Sequence, residues 1–265
     1  MEFMLTILIG EGRLDKDDMK MGLLAALFHD AAPGLSRLPK ITEKNIKDRC
    51  LELACGAIKP DDFEKYLKDA VTAREEHMKD GAKIAESKLL AHQKQHPDEI
   101  KDEHIRRIVG IIAQHDNPKF PIIFDVARTM FESNKVCIRW HDMSPESDAK
   151  KLRSLFSCER AAGYLIKPDD WLLQYHHEAD LLWMVTQDGI DADLARFSPA
   201  EDNTPRQLLD NNMTEHQREA TLCERLAPDA GYSFQGGYAY RSKTGYALFQ
   251  YLTRLLDERF PRQSR

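Results

Sequence analysis

At 265 residues, with 42% hydrophobic and 31% charged side chains, the chain is long enough to bury a full core and polar enough to be globular. A formal net charge of -6 and a pI of about 5.9 argue against a general nucleic-acid surface, which needs a basic face, but allow a small anion held by a few local cations. No apolar run approaches the length that crosses a bilayer. The five scattered cysteines (Cys50, Cys55, Cys137, Cys158 and Cys223) form no CxxC pair and read as free thiols of a reducing cytoplasm.

The opening MEFMLTILIG is apolar but short, and it has neither a basic flank nor a small-residue cleavage site, so it is not read as a signal peptide. Residues 16–30 carry Met19, Leu23, Leu24, Leu27 and Phe28 at helical spacing and end in His29-Asp30, followed at once by Ala-Ala-Pro-Gly. Residues 42–57 open on a Thr42 N-cap and place Ile46, Cys50, Leu53 and Ala54 on one face. Pro60 starts a long helix whose apolar face runs through Phe63, Tyr66, Leu67, Ala70 and Val71, with His77 one heptad beyond Ala70. In 101–115 the series Ile105, Ile108, Ile112 and His115 puts a histidine where another isoleucine belongs. Residues 122–140 are ambiguous between helix and short strand, while 147–165 and 169–187 return to helical periodicity, the second with Asp180 inside an apolar run. A polar amphipathic helix over 204–227, a loop rich in Gly and Tyr, and a closing helix from Tyr246 complete the chain. Alternating strand–helix units are absent, so the fold class is all-α. The predicted organisation is one helical domain over 1–200, with a helical C-terminal extension over 201–265 packed on it.

Imidazole nitrogens and carboxylate oxygens in apolar helical settings are costly core groups but good ligands for a first-row divalent ion. His29, Asp30, His77, His115 and Asp180 are the candidates. The plainer roles are a helix-ending pair at His29-Asp30, a solvated His77, a helix-end cation at His115 and a part-exposed carboxylate at Asp180.

The segments LLAALFHDAAPG, REEHMKDGAKI, VGIIAQHD and EADLLWM, in that order, resemble the HD superfamily of metal-dependent phosphohydrolases, over about residues 5 to 197. The resemblance implies a helical bundle of the HD-domain type. It implies that His29, Asp30 and Asp180 hold a first ion, and that Asp30 bridges to a second bound also by His77 and His115. The ion would be Mn, Fe, Co, Ni, Zn or Mg. Asp30 then organises catalysis, and Arg74, three residues before His77, is the implied phosphate contact. The family's further histidine, on the helix before the His-Asp pair, would fall upstream of Met1, and no histidine precedes His29. The implied substrate is a phosphomonoester or nucleotide attacked by metal-activated water. The alternatives are a catalytically degenerate nucleotide-binding or regulatory protein and a di-iron oxygenase. No membrane partner is expected, and a homodimer is compatible with an acidic helical protein.

Other residues draw structural expectations. His104 reads as a surface group beside Glu103 and Arg106, and His141-Asp142 as a chance repeat of the dipeptide. His92, His96 and His216 read as solvent-facing. His176 and His177 flank the last ligand, with one able to donate a proton to a leaving group but structural or surface roles favoured. Arg37 and Lys40 are weaker phosphate contacts. The loop with Tyr232, Tyr238, Tyr240, Arg241, Ser242 and Lys243 reads as packing more than as a base-stacking surface.

Overall fold

In the computed structural model, which describes residues 2–32, 43–117, 167, 169–191 and 240–259, every regular element among the described residues is a helix. The helices are α1 (Glu2–Ile9), α2 (Lys16–Phe28), α3 (Glu43–Ala54), α4 (Pro60–Gln95), α5 (Asp102–Ile112), α6 (Trp171–Trp183) and α7 (Lys243–Arg259). The all-α expectation therefore holds for what is described. The readings over 122–140, 147–165 and 204–227 lie outside the described residues, as do those on Arg37, Lys40, His141-Asp142, His216, Tyr232 and Tyr238. None of the described helices is long and apolar enough to cross a membrane.

The chain divides into two compact units, Met1–Arg37 with His77–His115 and Pro168–Arg265, and Leu38–Glu76 with Asp116–Lys167. In the first unit α6 is the central helix. It contacts α1, α2, α5 and α7, and every residue from Leu172 to Leu182 is buried. A helix buried on all sides needs no polar face, yet this one carries Gln174, His176, His177, Glu178 and Asp180. Its surroundings are apolar. Leu5, Leu8 and Ile9 of α1, Tyr175, Ala179 and Leu182 of α6, and Phe249 and Leu256 of α7 form one core cluster. Gly22 brings α2 close to this core, since a Cβ there would stand 3.0 Å from Leu172 Cδ1 and 3.4 Å from Ile9 and Leu5 side chains.

Local chemistry sets the helix ends. Asp15 opens α2 with a capping box, its Oδ1 accepting from the Asp18 amide at 2.8 Å. Asp170 caps α6 by accepting from the Leu173 amide at 3.1 Å and also receives Arg107 of α5, whose Nη1 donates to it at 3.1 Å. One carboxylate thereby fixes where α6 begins and ties it to α5. Along α5, Ile105, Ile108, Ile111 and Ile112 are buried and Asp102 and Glu103 occupy the first turn, where the helix dipole favours acids. The helix stops at Ile112, three residues short of the predicted end, so His115 sits on the turn beyond it.

In the second unit, Gly56 closes α3 with a left-handed φ of 77°, while the Ala57 amide reaches back to the Glu52 carbonyl at 2.8 Å. Pro60 fits the first position of α4, where no amide donor is required. Among the described side chains, Phe63, Leu67 and Val71 are buried in this part of α4, and Cys50 and Leu53 are buried in α3. Burial pushes the Cys50 thiol up to about 12, so it is an inert packing group.

Candidate metal centre

The site lies in the first unit and starts where α2 stops. His29 is the C-cap of α2, and the Ala31 amide bonds back to the Phe28 carbonyl at 3.0 Å, so His29 and Asp30 occupy a tight turn just past the helix. On a continuing helix adjacent residues would diverge by about 100°. On this turn they converge, with His29 Nε2 3.4 Å from Asp30 Oδ2.

His29 Nδ1 donates to the Ala26 carbonyl at 2.8 Å, and His115 Nδ1 donates to the Ile112 carbonyl at 2.8 Å. In both cases the acceptor lies three residues back. A carbonyl can only accept, so each neutral ring carries its proton on Nδ1 and presents Nε2 as a lone pair. Backbone locking of this kind is the usual outer support of a metal-binding imidazole. His77 comes from the middle of α4, with Nε2 3.2 Å from Asp30 Oδ1. Gly81, one turn further along α4, makes that approach possible. A Cβ there would stand 3.1 Å from the His29 carbonyl oxygen and 3.4 Å from Ile112 Cγ2.

Asp30 divides its oxygens. Oδ1 faces His77 Nε2 at 3.2 Å and His115 Nε2 at 4.0 Å, while Oδ2 faces His29. Asp180 Oδ1 lies 3.7 Å from the same His29 nitrogen. Pairwise contacts through Asp30 and His29 link all five predicted residues. Asp30, His77 and His115 each offer a ligand atom within 4.8 Å of the others, a group that can hold a metal ion. Ligand atoms about 2.0–2.2 Å from a shared tetrahedral ion stand about 3.3–3.6 Å apart, so the widest separation in the group has to shorten by about an ångström. His77 and Asp180 are buried, which rules out the solvated and part-exposed roles that their sequence contexts also allowed, and His115 is buried on the turn that ends α5. Asp30 is the most open of the five, with a third of its side chain exposed.

Without an ion, protons take part in holding the cluster. Burial opposes protonation of His29, but the hydrogen bond and charge of Asp180, joined by Asp30 and the Ala26 carbonyl, outweigh it and push its pKa up to about 9. Burial also raises Asp30, yet its bond to His77 and the charge of His29 bring it below the ordinary carboxylate value. A folded pKa of about 9 against 6.5 for the free group means that His29 stabilises the ion-free fold fully below pH 6.5. That contribution is lost as the pH rises through 9. An ion must displace this proton, so apparent affinity for manganese(II) is expected to rise between pH 6.5 and 9, by up to about tenfold per unit for one proton released. Calorimetric titrations at several pH values check this, and a flat profile contradicts it.

His176 was not among the expected ligands. It is fully buried on α6, with its ring centroid 5.5 Å from that of His29 and 6.1 Å from that of His115. Burial first, then the charges of His29 and His115, hold it neutral against the pull of Asp180 and the Ala25 carbonyl. His177 is buried as well, so of the structural or surface roles favoured for this pair the surface one does not hold. His104 is half-buried, 3.9 Å from Asp17 rather than on the open surface, while the exposed pair His92 and His96 stacks beside Glu99 as its polar context suggested.

Arg74 belongs to the second unit, where its Nη1 donates to the buried Asp116 carboxylate at 2.8 Å. The described part of the Tyr-rich loop packs. Tyr240 lies against Phe249 with ring centroids 5.2 Å apart, and Arg241 sits over Trp171 at 5.7 Å. Glu178, two residues before Asp180, drew no separate expectation. Its carboxylate gathers the Gln174 amide at 2.7 Å, the Arg241 and Ser242 backbone amides at 2.8 and 3.0 Å, and the Ser242 hydroxyl.

No family model, curated protein or solved structure matches this chain.

Proposed function

We propose that this chain is a metal-dependent phosphohydrolase of the HD type, acting on a small phosphomonoester or nucleotide. The observation that carries the reading is the division of Asp30 between two sets of partners, Oδ1 toward His77 and His115 and Oδ2 toward His29 and, beyond it, Asp180. A carboxylate so shared suits one or two divalent ions. When bound, such an ion polarises a phosphoryl oxygen and lowers the pKa of water.

The chain's own residues supply the remainder. Two carboxylates and neutral imidazoles make a compact set of hard and borderline donors, open to Mn, Fe, Co, Ni, Zn or Mg. The backbone bonds at His29 and His115 hold the rings ready, so little reorganisation accompanies binding. Asp30, the ligand most open to solvent, marks the side from which substrate and water approach.

The test is phosphate release from a panel of phosphomonoesters and nucleotides with manganese, cobalt, nickel or magnesium added singly. Hydrolysis is expected to require the ion and to vanish in Asp180→Ala. Stoichiometric iron with oxygen uptake and no phosphate release would instead establish the oxygenase reading. An ion bound without turnover on any substrate would favour the regulatory one.

A further inference from the structure

The structure assigns His176 as an additional metal ligand, an imidazole from α6 that joins Asp180 in holding the ion at the His29 end of the cluster. This rests on the metal-centre reading above. His176 and Asp180 stand four residues apart on one helix and so share a face, one turn from each other. The expected ligands at this end number three: His29, Asp30 and Asp180. A four-coordinate ion with only these would depend on solvent for its remaining position.

The ring geometry fits. An imidazole nitrogen about 2.0–2.1 Å from an ion places its ring centroid just over 3 Å away, so two rings sharing one ion have centroids about 5–6 Å apart. The pair His77–His115, assigned to one ion, stands at 5.7 Å, and His176 falls in the same range from His29, at 5.5 Å. The rings of His29 and His176 meet edge to face at 79°, so they do not stack flat against each other.

Burial supplies the second argument. His176 has no exposed surface, and neither ring nitrogen has a hydrogen-bond partner of regular geometry. A buried polar group left this way normally has a use. A leucine or phenylalanine would fill the same place in α6 without that cost. Here the ring stands beside the imidazoles of His29 and His115, one helical turn from Asp180.

Cobalt(II) alone, added to the full chain, tests the assignment. The wild type is expected to bind it and show the visible bands of a protein-bound ion. His176→Phe fills the volume without a ligand atom and is expected to keep its helical circular dichroism, lose at least tenfold in cobalt affinity and change those bands. His176→Cys keeps a ligand at the position. It is expected to bind cobalt and gain a thiolate-to-cobalt charge-transfer band in the near ultraviolet that the wild type lacks, a signature no purely structural role produces. Cobalt uptake by His176→Cys without that band, or wild-type affinity and spectrum in His176→Phe, overturns the assignment and leaves the other ligands standing. Absence of cobalt uptake by the wild type overturns the metal centre itself and this assignment with it.

Discussion

Replacing Asp30 with alanine is expected to abolish ion binding and hydrolysis together. Its two oxygens are the anionic centre to which His29, His77 and His115 all turn their Nε2 atoms. Without them the three imidazoles face one another with no shared counter-charge, and only Asp180 remains, beside His29. Loss of a group that merely supports a ligand costs about 10–100-fold in metal affinity. Loss of the shared ligand itself is expected to exceed that range. The fold should survive, because Asp30 lies on a part-exposed turn beyond the end of α2. Asp30→Asn keeps the shape and one carbonyl oxygen, so it should fall between wild type and alanine. Metal content by elemental analysis and phosphate release, measured on the same samples, give the answer. Retained activity with retained metal in Asp30→Ala contradicts the assignment.

The second large effect is on stability. Glu178→Ala is expected to lower unfolding free energy by about 3–5 kcal/mol, because a buried amide, a hydroxyl and two backbone N–H groups lose their acceptor and each orphaned donor costs about 1–3 kcal/mol. The loss reaches further than α6. Ser242 Oγ also accepts from the Gly245 amide at 2.8 Å, so the start of α7 is fastened to α6 through Glu178. Gly245 is part of the same fit, since a Cβ there would run into the Glu178 carboxylate. Burial pushes the Glu178 carboxyl above its ordinary range in spite of four donors, so part of the hydrogen-bond gain is offset by the cost of the charge. Glu178→Gln removes that cost and keeps one acceptor, and it should be the milder variant. Urea unfolding of the three proteins measures the order. A loss below about 1 kcal/mol in the alanine variant would mean that water replaces the carboxylate freely.

The candidate ligands that sequence patterns expose are those that break an apolar rhythm. His115 follows a run of isoleucines, His77 extends a helical stripe and Asp180 interrupts DLLWM, and each is buried as that disruption suggests. Helical spacing misplaced the detail at His115, because α5 ends at Ile112 and a turn, not a continuing helix, aims the ring. His176 and His177 were harder to read. In WLLQYHHEADLLW a dense polar stretch resembles a solvated face, and only the helices gathered around α6 turn every side into an interior. α1 gave no period because its eight residues are apolar on nearly all sides. Gly81 and Gly22 look like ordinary weak points in helices, and their meaning depends on neighbours far away in sequence. Glu178 is the same case, with partners more than sixty residues downstream and no local signature.

The central claim is that His29, Asp30, His77, His115 and Asp180 close around a cation. Anomalous diffraction from crystals grown with manganese(II), collected on both sides of the metal absorption edge, tests it most directly. The expected map has a peak bounded by Asp30 and the surrounding imidazoles, with Asp180 at the His29 end. Crystals that bind manganese elsewhere, or hold none while these side chains keep the ion-free contacts described above, would contradict it.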